Sequence, residues 1–293
     1  MEYGIHILIM IGIYVILAVS YNVLLGFVGI FAICQAAFYG IGAYISTLIL
    51  IHLGWNFIPA MFLGMIGAAI ISLCVGIPAL RIHWDYMAIF SFAFQMIIYH
   101  LLINLVGITR GPMGIAGITK PNLFGFTFSS KISFLILTVV FVVIVLIICR
   151  QIDRSPLGRV FRGIREDEIA VKSLGKNTTR YKVIAFAICG SLAAISGSLI
   201  AHHISYISPF QFTLSESFAI LCMVALGGTG NVWGAAVGAV ILIAIPEALR
   251  FLPIPSTMIG GIRQLIYGLA LVLMMMFRQQ GIIPERIVAK QKE

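Results

Sequence analysis

The nearest thing to a catalytic constellation in this sequence is Ala194-Ile195-Ser196-Gly197, with His202 and His203 a few residues on. A serine buried in a membrane helix becomes a nucleophile only when a base shares its proton. Ser196 fails that test: Ala194 stands where such a motif wants Gly, and seven residues of one helix separate Ser196 from His203 by about 10 Å. Both histidines read instead as helix-end residues near the outer membrane interface. There is no G-x-x-x-x-G-K-[ST] phosphate loop, so the chain cannot hold ATP and Mg in that way. No H-E-x-x-H is present, and the six histidines form no zinc-spaced set. Cys34, Cys74, Cys149, Cys189 and Cys222 fall in separate apolar runs without a CxxC pair and read as small core residues. Asp85, Glu216 and Glu247 fall near the ends of apolar runs, which argues against a proton relay. No catalytic and no metal-binding residue is assigned.

Four amides lie within apolar runs: Asn22, Gln35, Gln95 and Asn104. A buried amide needs a hydrogen-bonding partner, so these are either glue between helices or the lining of a path, and both readings stay open. Small residues at helical spacing offer close-approach faces: Gly230, Gly234 and Gly238, Gly40 with Ala36 and Tyr44, and Gly64 with Ala60 and Ala68. Leu25, Gly26 and Gly29 are echoed by Leu226, Gly227 and Gly230, a hint of the internal duplication found in transporters.

The elements that must position these groups are written for lipid. The chain is 61% hydrophobic and 10% charged, with a mean hydropathy of +1.09, whereas about a quarter of the residues of a soluble domain are charged. A helix needs about 20 apolar residues to cross the hydrocarbon. Apolar runs occur at 5–25, 27–51, 57–80, 86–106, 132–149, 183–203, 218–226, 232–249 and 258–277. The run from Phe218 is short and ends in Gly227, Gly228, Thr229 and Gly230, the pattern of a half-helix or a re-entrant element. The expected fold is all-α, a polytopic membrane protein with eight to ten transmembrane or re-entrant helices. It forms one transmembrane domain over 1–293: a first helical half (1–149), a polar loop (150–182), a second half (183–277) and a tail (278–293).

Orientation follows from the cations, which stay on the cytoplasmic side. The loop 150–182 holds nine Lys/Arg against four acids and the tail 278–293 four against two. Both are expected to be cytoplasmic, with the N-terminus outside and the first helix retained, since Met1, Glu2 and Tyr3 lack a positive n-region. The formal charge of +9 is accounted for by topology and anionic lipid, and nucleic-acid binding is not expected.

The polar loop has helix grammar of its own. Ser155 is an N-cap with Pro156 at the first helical position. Leu157, Val160, Phe161 and Ile164 then share one face, with Arg159, Arg162 and Arg165 elsewhere. Glu166, Asp167 and Glu168 favour the start of a second short helix, Gly175 suits a left-handed stop after Leu174, and Asn177 or Thr178 can cap the next span. A loop that only sets topology needs no apolar face, so this one reads as a docking arm.

Several segments resemble branched-chain amino acid ABC transporter permeases of the LivM type. They are RGIREDEIAVKSLGKNTTRYK (162–182), LLGFVGIFAICQAAFYGIGAYI early in the chain, TRGPMGIAG (Thr109 to Gly117), and ALGGTGNVWGAAVGAV followed by PEALR near the end. The resemblance covers nearly the whole chain in order. It implies one half of an importer in a bacterial-type inner membrane, working with a second permease subunit, two cytoplasmic ATP-binding subunits that carry ATP and Mg, and an extracytoplasmic substrate-binding protein. It makes 162–175, Ala170 included, the region that couples to the ATPase. The broader permease motif there begins Glu-Ala-Ala and has Gly four residues after the second Ala. Here Ile169, Ala170, Val171 and Gly175 match, and only Ala and Gly survive; Gly163 stands where Ala is commoner. The cargo implied is leucine, isoleucine or valine, with urea or short amides as the alternative within the class. A stand-alone channel or secondary carrier is the rival class; a carrier would be expected to show intramembrane acids or ion-site backbone breaks, and the sequence reads as lacking the acids.

Overall fold

The computed structural model describes residues 2–78, 84–123, 126–127, 130–249, 256–277 and 281–283. Nearly all of them are helical, as lipid requires: in hydrocarbon each backbone N–H and C=O must be satisfied within the protein. The helices are α1 (Glu2–Asn22), α2 (Gln35–Leu53), α3 (Phe57–Gly76), α4 (Trp84–Asn104), the short α5 (Val106–Thr109), α6 (Lys131–Arg154), α7 (Pro156–Glu166), α8 (Glu168–Ser173), α9 (Thr178–Ile204), α10 (Leu214–Gly227), α11 (Val232–Leu249) and α12 (Ser256–Phe277). Two-residue ladders join Ile115–Ala116 to Tyr206–Ile207 and Asn122–Leu123 to Phe126–Thr127. Seven segments are long and apolar enough to span a membrane, with two shorter apolar helices at Val232–Glu247 and Gln264–Leu273. This agrees with eight to ten spanning or re-entrant helices. Most of the tail 278–293 and the end of the run at Leu80 lie outside the described residues.

α1 and α9 form the centre and are buried along most of their length. Around them α3, α4 and α6 turn apolar stripes outward. On α6 the exposed residues Ile132, Ile136, Val139, Val143 and Ile147 recur at helical spacing. Such a stripe would be a liability in water; here it is the face that lipid or another subunit covers. One end of the bundle, the arm end, gathers α7, α8 and the ends of α1 and α10. The opposite end carries the Lys131–Glu2 ion pair at 2.7 Å and the His6–His203 contact at 2.7 Å.

Two helices begin inside the bundle, not at its surface. The run 27–51 is not one helix. α1 passes into a π-helical turn (Val23–Val28), stops at Gly29 with φ +82°, and the irregular segment 29–34 leads to α2 at Gln35. Gln35 is level with Ser20 of α1 and Cys189 of α9, and Ser20 lies about 12 Å of helix short of Val28. α10 likewise follows a 3-10 turn at Pro209–Gln211 and starts near the middle of α4, where Gln95 reaches the Phe212 carbonyl. The short run from Phe218 is thus part of a longer segment, Pro209–Gly227, which is one of the seven long and apolar enough to span a membrane.

Candidate functional site

The arm is built as its sequence suggests and then welded to the body. The Ser155 side chain accepts from Gly158 N at 3.3 Å, and Pro156 occupies the first turn of α7. Asp167 caps α8 by accepting from Ile169 N at 2.8 Å and Ala170 N at 3.0 Å. Gly175 stops it at φ +74°, and Asn177 caps α9 through Arg180 N at 3.3 Å. The apolar face of α7 is occupied by the chain itself: Phe161 and Ile164 are fully buried, and Leu157 and Val160 pack half-buried against the core. The exposed apolar residues of the arm are on and just after α8, where Ile169 is 76% and Leu174 79% accessible beside exposed Ala170.

Charged side chains hold this geometry. Arg162 binds the carbonyl of Asp153 at 2.9 Å and its carboxylate at 3.3 Å. Arg165 donates to the carbonyl of Gly26 at 2.5 Å, in the π turn, and its stem lies against Gly29, where an added Cβ would sit 2.7 Å from Arg165 Cγ. Glu168 accepts from Thr178 Oγ1 at 2.9 Å and Lys182 Nζ at 2.7 Å and pairs with Lys172 at 3.1 Å, tying α8 to α9. Glu166 and Asp167 are exposed. A groove of about 350 Å³ between the arm and the turn before α11 is lined by Arg150, Arg154, Arg162, Asn231 and Trp233.

Three of the four amides make hydrogen bonds between elements. Asn22 Oδ1 accepts from Gly230 N at 3.0 Å. Gln35 donates to Ser20 Oγ at 2.8 Å and accepts from Cys189 Sγ at 3.1 Å. Gln95 accepts from Ala37 N at 2.7 Å and donates to the Phe212 carbonyl at 2.9 Å. With Ser217, which takes Ala36 N at 3.0 Å, it meets two N–H groups of the buried first turn of α2, and Ser91 takes Ile33 N at 2.8 Å in the segment just before it. Asn104 is exposed at the end of α4. Ser20, Ser91, Ser217 and Cys189 carry no distinguishing spacing in sequence, so this seam was not legible from residue types.

The glycine stripe needs one correction. Gly230 is not on the face of α11; it lies in the turn before it at φ +86°, because the chain must reverse there and its N–H serves Asn22. Gly234 and Gly238 do form a close-approach face: an added Cβ at Gly238 would stand 2.0 Å from the Met223 carbonyl oxygen of α10. Gly40 accommodates the ring of Phe212. The crossing of α2 on α9 uses Gly42 and Gly197, where an added Cβ would stand 2.3 Å from Ala194 Cα and 2.2 Å from the Tyr39 carbonyl oxygen. The echoed segments abut, since a Cβ at Gly26 would stand 2.4 Å from Gly230 N.

Glu216 also needs correction. It is not at a membrane boundary: because α10 starts inside the bundle, Glu216 accepts a hydrogen bond from Tyr14, near the middle of α1. Glu216 thus falls within Pro209–Gly227, a segment long and apolar enough to span a membrane. Glu247 is held by Tyr3 near the opposite end of α1. Ser196 donates to the Ile13 carbonyl at 3.2 Å, and His202 packs on Phe57 with ring centroids 4.8 Å apart. Among the described residues no cluster of His, Cys, Asp and Glu is arranged to hold a metal ion.

Residues 4–278 match the family described as branched-chain amino acid transport system / permease component. The high-affinity branched-chain amino acid transport system permease protein LivM of Salmonella typhimurium (strain LT2) is 35% identical over 93% of this chain and 68% of its own length. The probable LivM of Methanocaldococcus jannaschii is 24% identical over 96% of this chain and 93% of its own. LivH of Escherichia coli K12 is 29% identical over 80% of this chain and 81% of its own. No solved structure matches the chain significantly.

Proposed function

The chain belongs to the branched-chain amino acid transport permease family, and from that premise we propose that it is one membrane half of an ATP-driven importer for leucine, isoleucine and valine. Its partners are a second permease subunit, two ATP-binding subunits on the cytoplasmic side and a soluble substrate-binding protein outside. ATP and Mg belong to the ATPases. The arm faces the cytoplasm of a bacterial-type inner membrane, in keeping with its excess of cations, and the tail shares that side.

The observation that carries this reading is the arm: a capped two-helix element fixed to the body at Arg165–Gly26 and Glu168–Lys182, with Ile169 and Leu174 left in the open. An idle loop has no use for rigidity of this kind. ATPase closure displaces α8, and the ties carry the displacement into α9 and into the π turn of α1. The glycine-packed crossings then rock as rigid units, switching access from outside to inside.

Cysteines placed at 169 and 174 should cross-link to co-purifying ATPase subunits in mild detergent. A lone subunit that is fully active in uptake without them overturns the assignment. Uptake competition between labelled leucine and urea separates the amino-acid cargo from the amide alternative.

A further inference from the structure

Glu216 has no part in the arm or in the seam that caps α2. It borders a cavity of about 180 Å³ between α1, α2, α9 and the turn before α10. That is well below the roughly 300–1,000 Å³ of drug-sized sites, so the space suits a molecule of few heavy atoms. Its walls divide by chemistry. Met10, Ile200 and Ile204 form an aliphatic side, while Tyr14, Tyr39, Gln211 and Glu216 form a polar one.

The polar side is rich in acceptors. One Glu216 oxygen takes the Tyr14 hydroxyl, and an ionised carboxylate has about four acceptor sites. Gln211 Oε1 is buried with no hydrogen-bond partner, and an orphaned buried acceptor in a native fold asks for an explanation. Glu216 lies in the first turn of α10, where the helix dipole favours negative charge. Among the described residues no Lys, Arg or His pairs with it. A lone carboxylate inside a membrane domain marks a functional site more often than a structural one.

We infer that this cavity receives the ammonium end of a short branched aliphatic cargo. A primary ammonium has three donors and no acceptor. Glu216 supplies the opposite charge, Gln211 Oε1 takes a second N–H, the Tyr39 ring flanks the cation, and the aliphatic wall takes the branched chain. Urea or a short amide leaves the carboxylate without a counter-charge, so the site selects for a cation. This deepens the importer reading by giving its cargo a resting point inside the membrane, and it rests on that reading only for the identity of the cargo.

The competing account makes Glu216 a mere anchor for Tyr14. Glu216→Gln separates the two, because an amide oxygen still accepts from Tyr14 while the charge is gone. The full chain, purified in lipid nanodiscs with its accompanying subunits but without the external binding protein, is titrated with 3-methylbutylammonium and with 4-methylpentanoate. The expected result is saturable binding of the amine and not of the acid, weakened at least tenfold in Glu216→Gln and several-fold in Gln211→Leu, and retained in Tyr14→Phe. Equal binding of the amine by wild type and Glu216→Gln, no saturable amine binding by wild type, or equal binding of the acid overturns the site. Leucine uptake in cells lacking other carriers is read in parallel. Absence of uptake with Glu216-dependent amine binding sinks the cargo assignment and leaves the site standing. Uptake with Glu216-independent binding sinks the site alone.

Discussion

Arg165 fixes the arm to the first membrane helix through one carbonyl, that of Gly26, and through its stem against Gly29. Arg165→Ala removes both contacts without touching a spanning segment. Leucine uptake should fall at least tenfold while the amount of chain in the membrane fraction, read by immunoblot, stays level. The amides make a second test. Gln95→Leu strips the Phe212 carbonyl of its Gln95 donor inside the bundle and leaves Ala37 N–H only its longer contact with the Cys34 carbonyl at 3.2 Å. At about 1–3 kcal/mol for each unsatisfied group, it should lower thermal stability in detergent clearly, whereas Asn104→Leu, at an exposed helix end, should leave the melting temperature within a degree or two. At this scale the sequence showed which side chains were out of place in lipid but not what met them. Gln35 and Gln95 were legible as glue or lining, yet their serine and cysteine partners look like ordinary core residues. The depth of Glu216 depends on where α10 starts, which hydropathy does not encode.

Among elements, the two short helices of the arm have opposite roles. α7 turns its apolar face inward, so Ile164→Asp buries a charge and should reduce the amount of folded protein. Ile169→Asp on the open face of α8 and Leu174→Asp just after it should leave folding unchanged and abolish coupled uptake, measured together with size-exclusion profiles and ATPase stimulation. Gly175→Pro should also uncouple, since φ near +74° is closed to a ring fixed near −65°. The caps at Ser155, Asp167 and Asn177 were readable from sequence because capping is local chemistry. Which way the apolar face turned was not, because a face that wants a partner reads the same whether the partner is another subunit or the chain's own body.

For the molecule as a whole, the membrane helices were visible as apolar runs, and the seven spans with the two shorter apolar helices fall within the expected eight to ten. The breaks in them were not visible, since 27–51 reads as one predominantly apolar run while α2 begins only at Gln35. Close approach of α10 and α11 at Gly227, Gly234 and Gly238 leaves no room for a side chain. Gly238→Val should destabilise the second half severely, seen as lost expression or a melting temperature lowered by many degrees.

The buried start of α2 also sets a schedule for synthesis. Its first amide groups meet Gln95 and Ser217, which lies 181 residues after Ala36, and the segment just before it meets Ser91. A nascent chain leaving the ribosome must therefore hold α2 incompletely bonded until the final third of the polypeptide has been translated. Translation arrested before residue 217 should yield a fragment that membrane proteases degrade, and release just beyond α10 should be the earliest point at which the first half becomes resistant.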